Sequence, residues 1–374
     1  MIYLDYSATT PTSSEVLESF IKSSNEYFAN PNSLHKLGTS ANKLIDASTS
    51  QIADLLKVKK EEIIYTSGAS ESNNLALKGI VDKFSNRGKH IITTEFEHSS
   101  IYGPLSYLQK YKGVDVDFVK TDEYGRVKLE SLESLIRDDT ILVSICSVNS
   151  EIGIRQPIEK IAKIVKKHPK CFLHVDITQS VGKDYVNLEN VDLASFSGHK
   201  IFGIKGIGCL IKKENIALEP LIHGGKSTTI FRSGTPALPL IVSLAKALRL
   251  ALTDLDKKIN QVKELNNYLK DNIAKYEKVK INSNDYSIPQ ILNVSVVGCK
   301  PETMQHALEE YDVYISTQTA CSKGGEMSKA VYALTHDEER AKSSIRISIS
   351  YVTTKEEIDG FLDAFDKCYK KLVE

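Results

Sequence analysis

Between His174 and Lys200 the chain reads HVDITQSVGKDYVNLENVDLASFSGHK, and this stretch restricts the possible folds more than any other. It holds two short apolar runs. CFLHV runs into Asp176, and VDLASF runs into Ser197-Gly198-His199-Lys200. Apolar runs this short, stopped by polar turn residues, are those of strands buried on both faces of a parallel sheet. Ligands of such a sheet lie beyond the carboxyl ends of its strands, so an aspartate and a lysine are delivered to one crevice.

The pattern extends in both directions. Ile63-Ile64-Tyr65, Ile91-Ile92, Asp115 to Val119, the run ILVSIC and Gly208 to Ile211 read as further strands. Helical spacing covers Ser14 to Ser23, the stretch from Gly38 to about Val58, Ala69 onward, Pro104 to Tyr111, Leu129 to Ile136 and residues 157–167. Strands alternating with helices at this spacing indicate an α/β domain. HGGKSTTIFRSGTPALP, from His223 to Pro239, is too long and polar for an idle connection. A helix-rich region from Leu240 to Tyr276 leads to an α+β layer. Its strands are expected at Ile291–Val296, Val313–Ile315 and Ser344–Ser350, and its helices at Pro301–Glu310, Met327–Leu334 and from Lys355 onward. The short N-terminal strand IYLD is expected to join it. The boundaries are residues 15–255 for the large domain, and 1–14 with 256–374 for the small one.

At 374 residues the chain can bury a large core, and its 48 basic side chains equal its 48 acidic ones. That balance gives no broad basic surface for nucleic acid or anionic lipid. No apolar run approaches the length of a membrane span, and no secretory leader is visible at MIYLDYSATT. The six cysteines form neither Cys-x-x-Cys pairs nor metal-ligand spacings. Cys146, Cys171, Cys209 and Cys368 fall on apolar runs or faces and read as core. A reduced cytoplasmic protein without a metal is the simplest expectation.

An aspartate and a lysine at strand ends suit pyridoxal phosphate: the lysine forms a Schiff base, and the aspartate keeps the pyridine nitrogen protonated. Alone, either residue would pass for a surface charge. TSGAS, with a strand before its glycine turn and a helix after it, adds an anion site of helix N–H groups and the Ser67 and Ser70 hydroxyls. Without a ligand it would be an ordinary helix start. Cys321 follows the apolar VYIS and precedes Ser322-Lys323-Gly324-Gly325, so it sits in a polar loop rather than a core. A thiol there needs cationic or helix-terminal surroundings to ionise near neutrality.

Taken with TSGASESNN, EFEH, RSGT and TACS, the sequence resembles the cysteine desulfurases of the NifS/IscS type, in aminotransferase class V. The resemblance runs nearly end to end, from LDYSATTP to SIRISISYVTTKEEID. It implies the fold type I architecture of pyridoxal phosphate enzymes, a mainly parallel seven-stranded sheet between helices plus a smaller α+β domain. It implies that Lys200 carries the cofactor, Asp176 pairs with the pyridine nitrogen and Gln179 binds the ring oxygen. His98 would lie over one ring face and move protons, with Thr178 near the other. Ala69, Ser70, Ser197 and His199 would hold the phosphate, and Thr235 would reach the phosphate of a neighbouring subunit, making a homodimer with shared sites. Arg346 would clamp the substrate carboxylate. Cys321 would take sulfur from L-cysteine as a persulfide and pass it to an acceptor protein serving iron–sulfur assembly or tRNA thiolation.

Three positions depart from the family pattern. Ser150 stands where a second asparagine usually follows Asn149, which leaves the part of both residues at the ring oxygen open. Ile177 replaces a common alanine, and Ile204 a common proline. The rival readings are a selenocysteine lyase, another class V enzyme, and a non-catalytic scaffold, the last disfavoured by the presence of Lys200.

Overall fold

The computed structural model describes residues 1–317 and 327–373. Its strands are β1 (Ile2–Tyr3), β2 (Ile63–Thr66), β3 (His90–Thr93), β4 (Asp115–Phe118), β5 (Thr140–Cys146) and β6 (Phe172–Asp176). They continue with β7 (Leu193–Ser197), β8 (Gly208–Lys212), β9 (Val279–Ile281), β10 (Ile291–Val296), β11 (Val313–Tyr314) and β12 (Ser344–Ser348). Seven of them form one sheet in the order β2-β8-β7-β6-β5-β3-β4. β8 runs antiparallel to both β2 and β7, and the other neighbours are parallel. Six strands therefore share a direction, and the segments that leave β2, β3, β5, β6 and β7 all emerge at one edge.

Alternation of side chains explains the layering. Ile63, Tyr65, Ile92, Val143, Ala194, Phe196 and Cys209 face one hydrophobic cluster, and Ile64, Ile91, Leu142, Leu193 and Leu210 face another. The first is completed by the Ser14–Glu26, Lys36–Leu56 and Leu238–Leu252 helices, the second by Ala69–Phe84 and Ser99–Lys112. Each fully buried Ile or Leu contributes up to about 1.5–3 kcal/mol, which is why a sheet covered on both sides holds its strand ends so firmly. β4, with its two aspartates, is the partly exposed edge.

A second body of sheet pairs β12-β10-β9 antiparallel and β1-β11 parallel. The N-terminal segment joins both pieces: Leu4 N–H donates to Tyr314 O at 2.8 Å, and Ser348 N–H donates to Leu4 O at 2.7 Å. Leu4, Leu292, Val294, Ile345, Ile347, Phe361 and Phe365 share its core.

Local boundaries shift where caps outweigh propensity. The helix expected from Pro104 begins at Ser99, because the His98 ring accepts from the Ser100 N–H and opens it earlier; Pro104 then sits inside. The helix expected at Met327–Leu334 runs from Lys329 to Thr335 behind the Ser328 cap. The stretch from Leu240 breaks into Leu238–Leu252 and Leu255–Ile273 at Asp254, whose φ is 53°.

One close approach sets the spacing between β8 and the turn after β2. A Cβ on Gly208 would stand 2.5 Å from Gly68 Cα and 2.7 Å from Phe196 O, backbone atoms that cannot swing aside. Gly208→Ala should therefore lower stability by about 1–3 kcal/mol. Urea denaturation of the two proteins measures this, and an unchanged midpoint would contradict the packing described.

Candidate active site

The strand ends at the common edge enclose a cleft of about 450 Å³, within the range of cofactor sites. Asp176 ends β6 at its floor. Its Oδ1 accepts from Thr178 N–H at 2.9 Å, and its Oδ2 accepts from Asn73 Nδ2 at 2.8 Å. The one-turn helix Gly198–Lys200 follows β7 and carries Lys200 into the cleft. There Lys200 Nζ donates to Ser7 O and, at 2.7 Å, to Ala8 O. Gln179 Nε2 donates to the same Ser7 carbonyl at 2.9 Å, and its Oε1 accepts from Lys183 Nζ at 2.7 Å.

The turn after β2 supplies the anion-binding wall. Gly68 precedes the Ala69–Phe84 helix with no side chain capping it, so the first-turn N–H groups of Ala69 and Ser70 face the cleft. The nearby Glu71 carboxylate is held by Arg232 at 3.0 Å and by Ser67 N–H at 2.7 Å. Ser197 and His199 line the cleft as well, and His199 Nδ1 lies 3.1 Å from Thr9 Oγ1.

On the far side, Arg346 of β12 is 1 % exposed. Its Nη2 donates to Asp5 at 2.7 Å and its Nη1 to Ser150 O at 3.0 Å, while the buried Nε has no partner. A guanidinium buried this deeply with one donor unused is suited to a carboxylate.

Burial governs the titration of the site. It lowers the His199 imidazole to about 4, with Lys200, Lys205 and Lys183 adding to the effect. His98 is lowered chiefly by burial, against the pull of Asp176 and with help from Lys200 and Arg346. The Lys183 amine is pushed down by burial and by the same two cations. Behind the cleft wall, burial raises the Glu97 carboxyl to about 8 although Thr94 Oγ1 and Cys146 N–H donate to it.

Lys200, His98, Ala69, Ser70, Asp176, Thr178, Gln179, Ser197, His199, Ser150 and Arg346 thus meet around one cavity. Asn149 does not line it. Its Nδ2 donates to Phe96 O, and its Oδ1 accepts from the Glu151 and Ile152 N–H groups. Thr235 lies in an adjoining recess of about 90 Å³, which shares Ser67 and Gly206 with the main cleft. Cys321 lies outside the described residues. Sequence reasoning gave no part to Ser7, Ala8 and Thr9, which line the cleft, although LDYSATTP contains them. It also gave no part to Asn73, although the TSGASESNN motif contains it. Among the described residues no His, Cys, Asp and Glu group could hold a metal.

The family model described as aminotransferase class-V matches residues 2–361. The chain belongs to the class V aminotransferase family. Relatives of this class V chain include the cysteine desulfurase IscS of Glaesserella parasuis, 40% identical over 100% of this chain and 94% of the relative. Among solved structures, a NifS-like protein superposes with a TM-score of 0.94 at 36% identity, over 99% of this chain and all of its own. SspA in complex with cysteine gives a TM-score of 0.83 at 32% identity, over 95% of this chain and all of its own. The class V chain shares with them the α/β architecture of its mostly parallel seven-stranded sheet.

The raised Glu97 gives a measurable pH dependence. Its folded carboxyl keeps a proton that the unfolded one has lost, so its contribution to stability falls as pH rises from 4.5 toward about 8. Glu97→Gln copies the protonated form and lacks that loss. Its thermal midpoint should match or trail wild type near pH 4.5 and gain steadily on it up to about pH 8. The low histidines, shared by both proteins, cancel in the difference; a difference independent of pH would contradict the assignment.

Proposed function

We propose that this class V enzyme binds pyridoxal phosphate in the cleft and converts L-cysteine to L-alanine, passing the sulfur to Cys321. The observation that carries the reading is the meeting of Lys200, Asp176 and the uncapped Ala69–Phe84 helix start around a cavity of cofactor size. These residues fit the cofactor: an amine for its aldehyde, a carboxylate for its ring nitrogen and backbone N–H groups for its phosphate. Gln179 would serve the ring oxygen with its Nε2. When bound, the pyridine ring draws electrons from the substrate's Cα and so weakens the Cβ–S bond.

The chain's own groups do the rest. Arg346, fixed by Asp5 and Ser150, holds the substrate carboxylate. Lys200 and the neutral His98 are the bases that move the Cα proton. Ser316, shortly before Cys321, exchanges backbone hydrogen bonds with Arg346, so the segment leading to the thiol starts beside the carboxylate clamp. The Cys321 thiolate attacks the substrate sulfur, an S–S bond forms as Cβ–S breaks, and the released electron pair stays with the carbon skeleton. That skeleton takes up protons and leaves as alanine, and the persulfide passes to an acceptor.

The relatives named cysteine desulfurase and the neighbour solved with cysteine support L-cysteine as the substrate. A second copy of the chain would complete the site. Phe28, Leu34, Leu37 and Ile230 are exposed apolar side chains available for it, and the Thr235 recess adjoins the phosphate wall. No helix among the described residues is long and apolar enough to cross a membrane.

With L-cysteine and a thiol reductant, wild type should release sulfide and alanine. Cys321→Ser should release no sulfide yet keep the visible absorbance of bound cofactor. Retained sulfide release, or a colourless variant, would contradict the roles assigned.

A further inference from the structure

Asn73 is wholly buried and lies on the Ala69–Phe84 helix, outside the cleft lining. Its two amide hydrogens go to Asp176 Oδ2 at 2.8 Å and Ser100 Oγ at 2.9 Å. Ser100 Oγ lies 2.9 Å from His98 Nδ1, and the same nitrogen accepts from the Ser100 N–H at 3.2 Å. The directions follow from the groups at the two ends of the chain. Asp176 is an acceptor as a carboxylate, so the Asn73 amide must present nitrogen to it; the reverse would set two oxygens against each other. The second Asn73 hydrogen occupies one lone pair of Ser100 Oγ, and because His98 Nδ1 already accepts from the Ser100 N–H it carries no proton, so the Ser100 hydroxyl hydrogen goes to it. With two donors on Nδ1, the ring proton belongs on Nε2. The Asn73 Oδ1 left by this arrangement is buried without a partner, so the amide keeps an orientation that leaves its own oxygen unsatisfied.

We propose that Asn73 is a positioning residue that carries the orientation of Asp176 through Ser100 to His98, holding His98 as a neutral imidazole with its proton on Nε2. The two groups that the reaction uses at opposite tasks, a fixed carboxylate and a proton-moving imidazole, are thus set by one amide. The inference rests on the reading of the cleft as the cofactor site. His98 is also faced by Asp176 from β6, Lys200 from the turn after β7 and Arg346 from β12, with Glu97 beside it in the chain. All of these remain in the variants below.

The test is the titration of His98 by NMR in the pyridoxal phosphate-loaded full-length protein with isotope-labelled histidine, the signal being assigned by its loss in His98→Gln. Wild type should show the Nε2–H form. Asn73→Leu fills the space without supplying a donor, so the Ser100 hydroxyl can turn and accept from a protonated ring. The His98 titration should then rise by about one pH unit, the worth of one neutral hydrogen bond. Asn73→Ser has one donor, which Asp176 takes, and should move it in the same direction if the leucine variant does not fold. Ser100→Ala should raise it too, and in that background the Asn73 substitutions should move it no further. Ser72→Ala removes the buried 2.8 Å hydrogen bond to Thr66 Oγ1 one residue away and should leave His98 unmoved. An unshifted His98 in the Asn73 variants, or an equal shift with and without the Ser100 hydroxyl, would overturn the proposal. Turnover of L-cysteine is not read in this experiment, so failure of this inference and failure of the proposed activity are told apart.

Discussion

The hydrogen bonds made by residues 4–10 hold the two sheets in the relation that the site needs. Leu4 pairs with β12 and with Tyr314, and Asp5 closes the Arg346 ion pair. A few residues later the same segment reaches the other sheet. Ser7 O accepts from Lys200 and Gln179, and the Thr10 N–H and hydroxyl both donate to His199 O. One strap, folded into a turn at residues 6–8, thus connects the guanidinium on β12 to the amine after β7. The Asp5–Arg346 pair has a particular cost if broken. Removing one partner of a buried pair leaves the other charge desolvated, at about 3–5 kcal/mol, so the clamp is only as well placed as the strap that carries its counter-ion.

Electrostatics within the cleft follows from this crowding. Lys200 and Arg346 are brought to one cavity from opposite sides, and their charge, added to the larger effect of burial, lowers the pKa of His98 and of the Lys183 amine, while Lys200 also adds to the burial that lowers His199. The balancing carboxylates are few and each is committed. Asp176 is tied by Thr178 and Asn73, Asp5 by Arg346 and Glu71 by Arg232. Glu97, with no cation against it, is left with burial as its dominant influence. The site therefore favours the neutral form of its imidazoles, the form able to accept a proton from a carbon acid.

Much of this arrangement was legible in the sequence because it depends on period and position. The buried runs ending at Asp176 and at Ser197 through Lys200, and the glycine turn before Ala69, place three of the groups at strand ends by local pattern alone. The N-terminal strand was expected to join the second sheet, and it pairs there with β11. What was not legible depends on contacts between distant segments. Nothing in SATT announces that its carbonyls will accept from a lysine nearly two hundred residues away. Asn73 looks like any polar residue in the first half of a helix until β6 brings Asp176 against it. The helix expected at Pro104 opens at Ser99 for a local reason instead, since a histidine ring does the work usually read from Ser, Thr, Asp or Asn. Asn149, whose part at the ring oxygen the sequence left open, donates to Phe96 O and accepts from the Glu151 and Ile152 N–H groups.

The central claim is that the amine at position 200 is the covalent anchor of the cofactor. Reduction of the purified, loaded protein with borohydride, followed by proteolysis and mass spectrometry, tests it directly. The account predicts a phosphopyridoxyl group on Lys200 and on no other lysine, the half-buried neighbour Lys183 included. A label at Lys183 or elsewhere, or a protein that takes up no label when offered the cofactor, would contradict it.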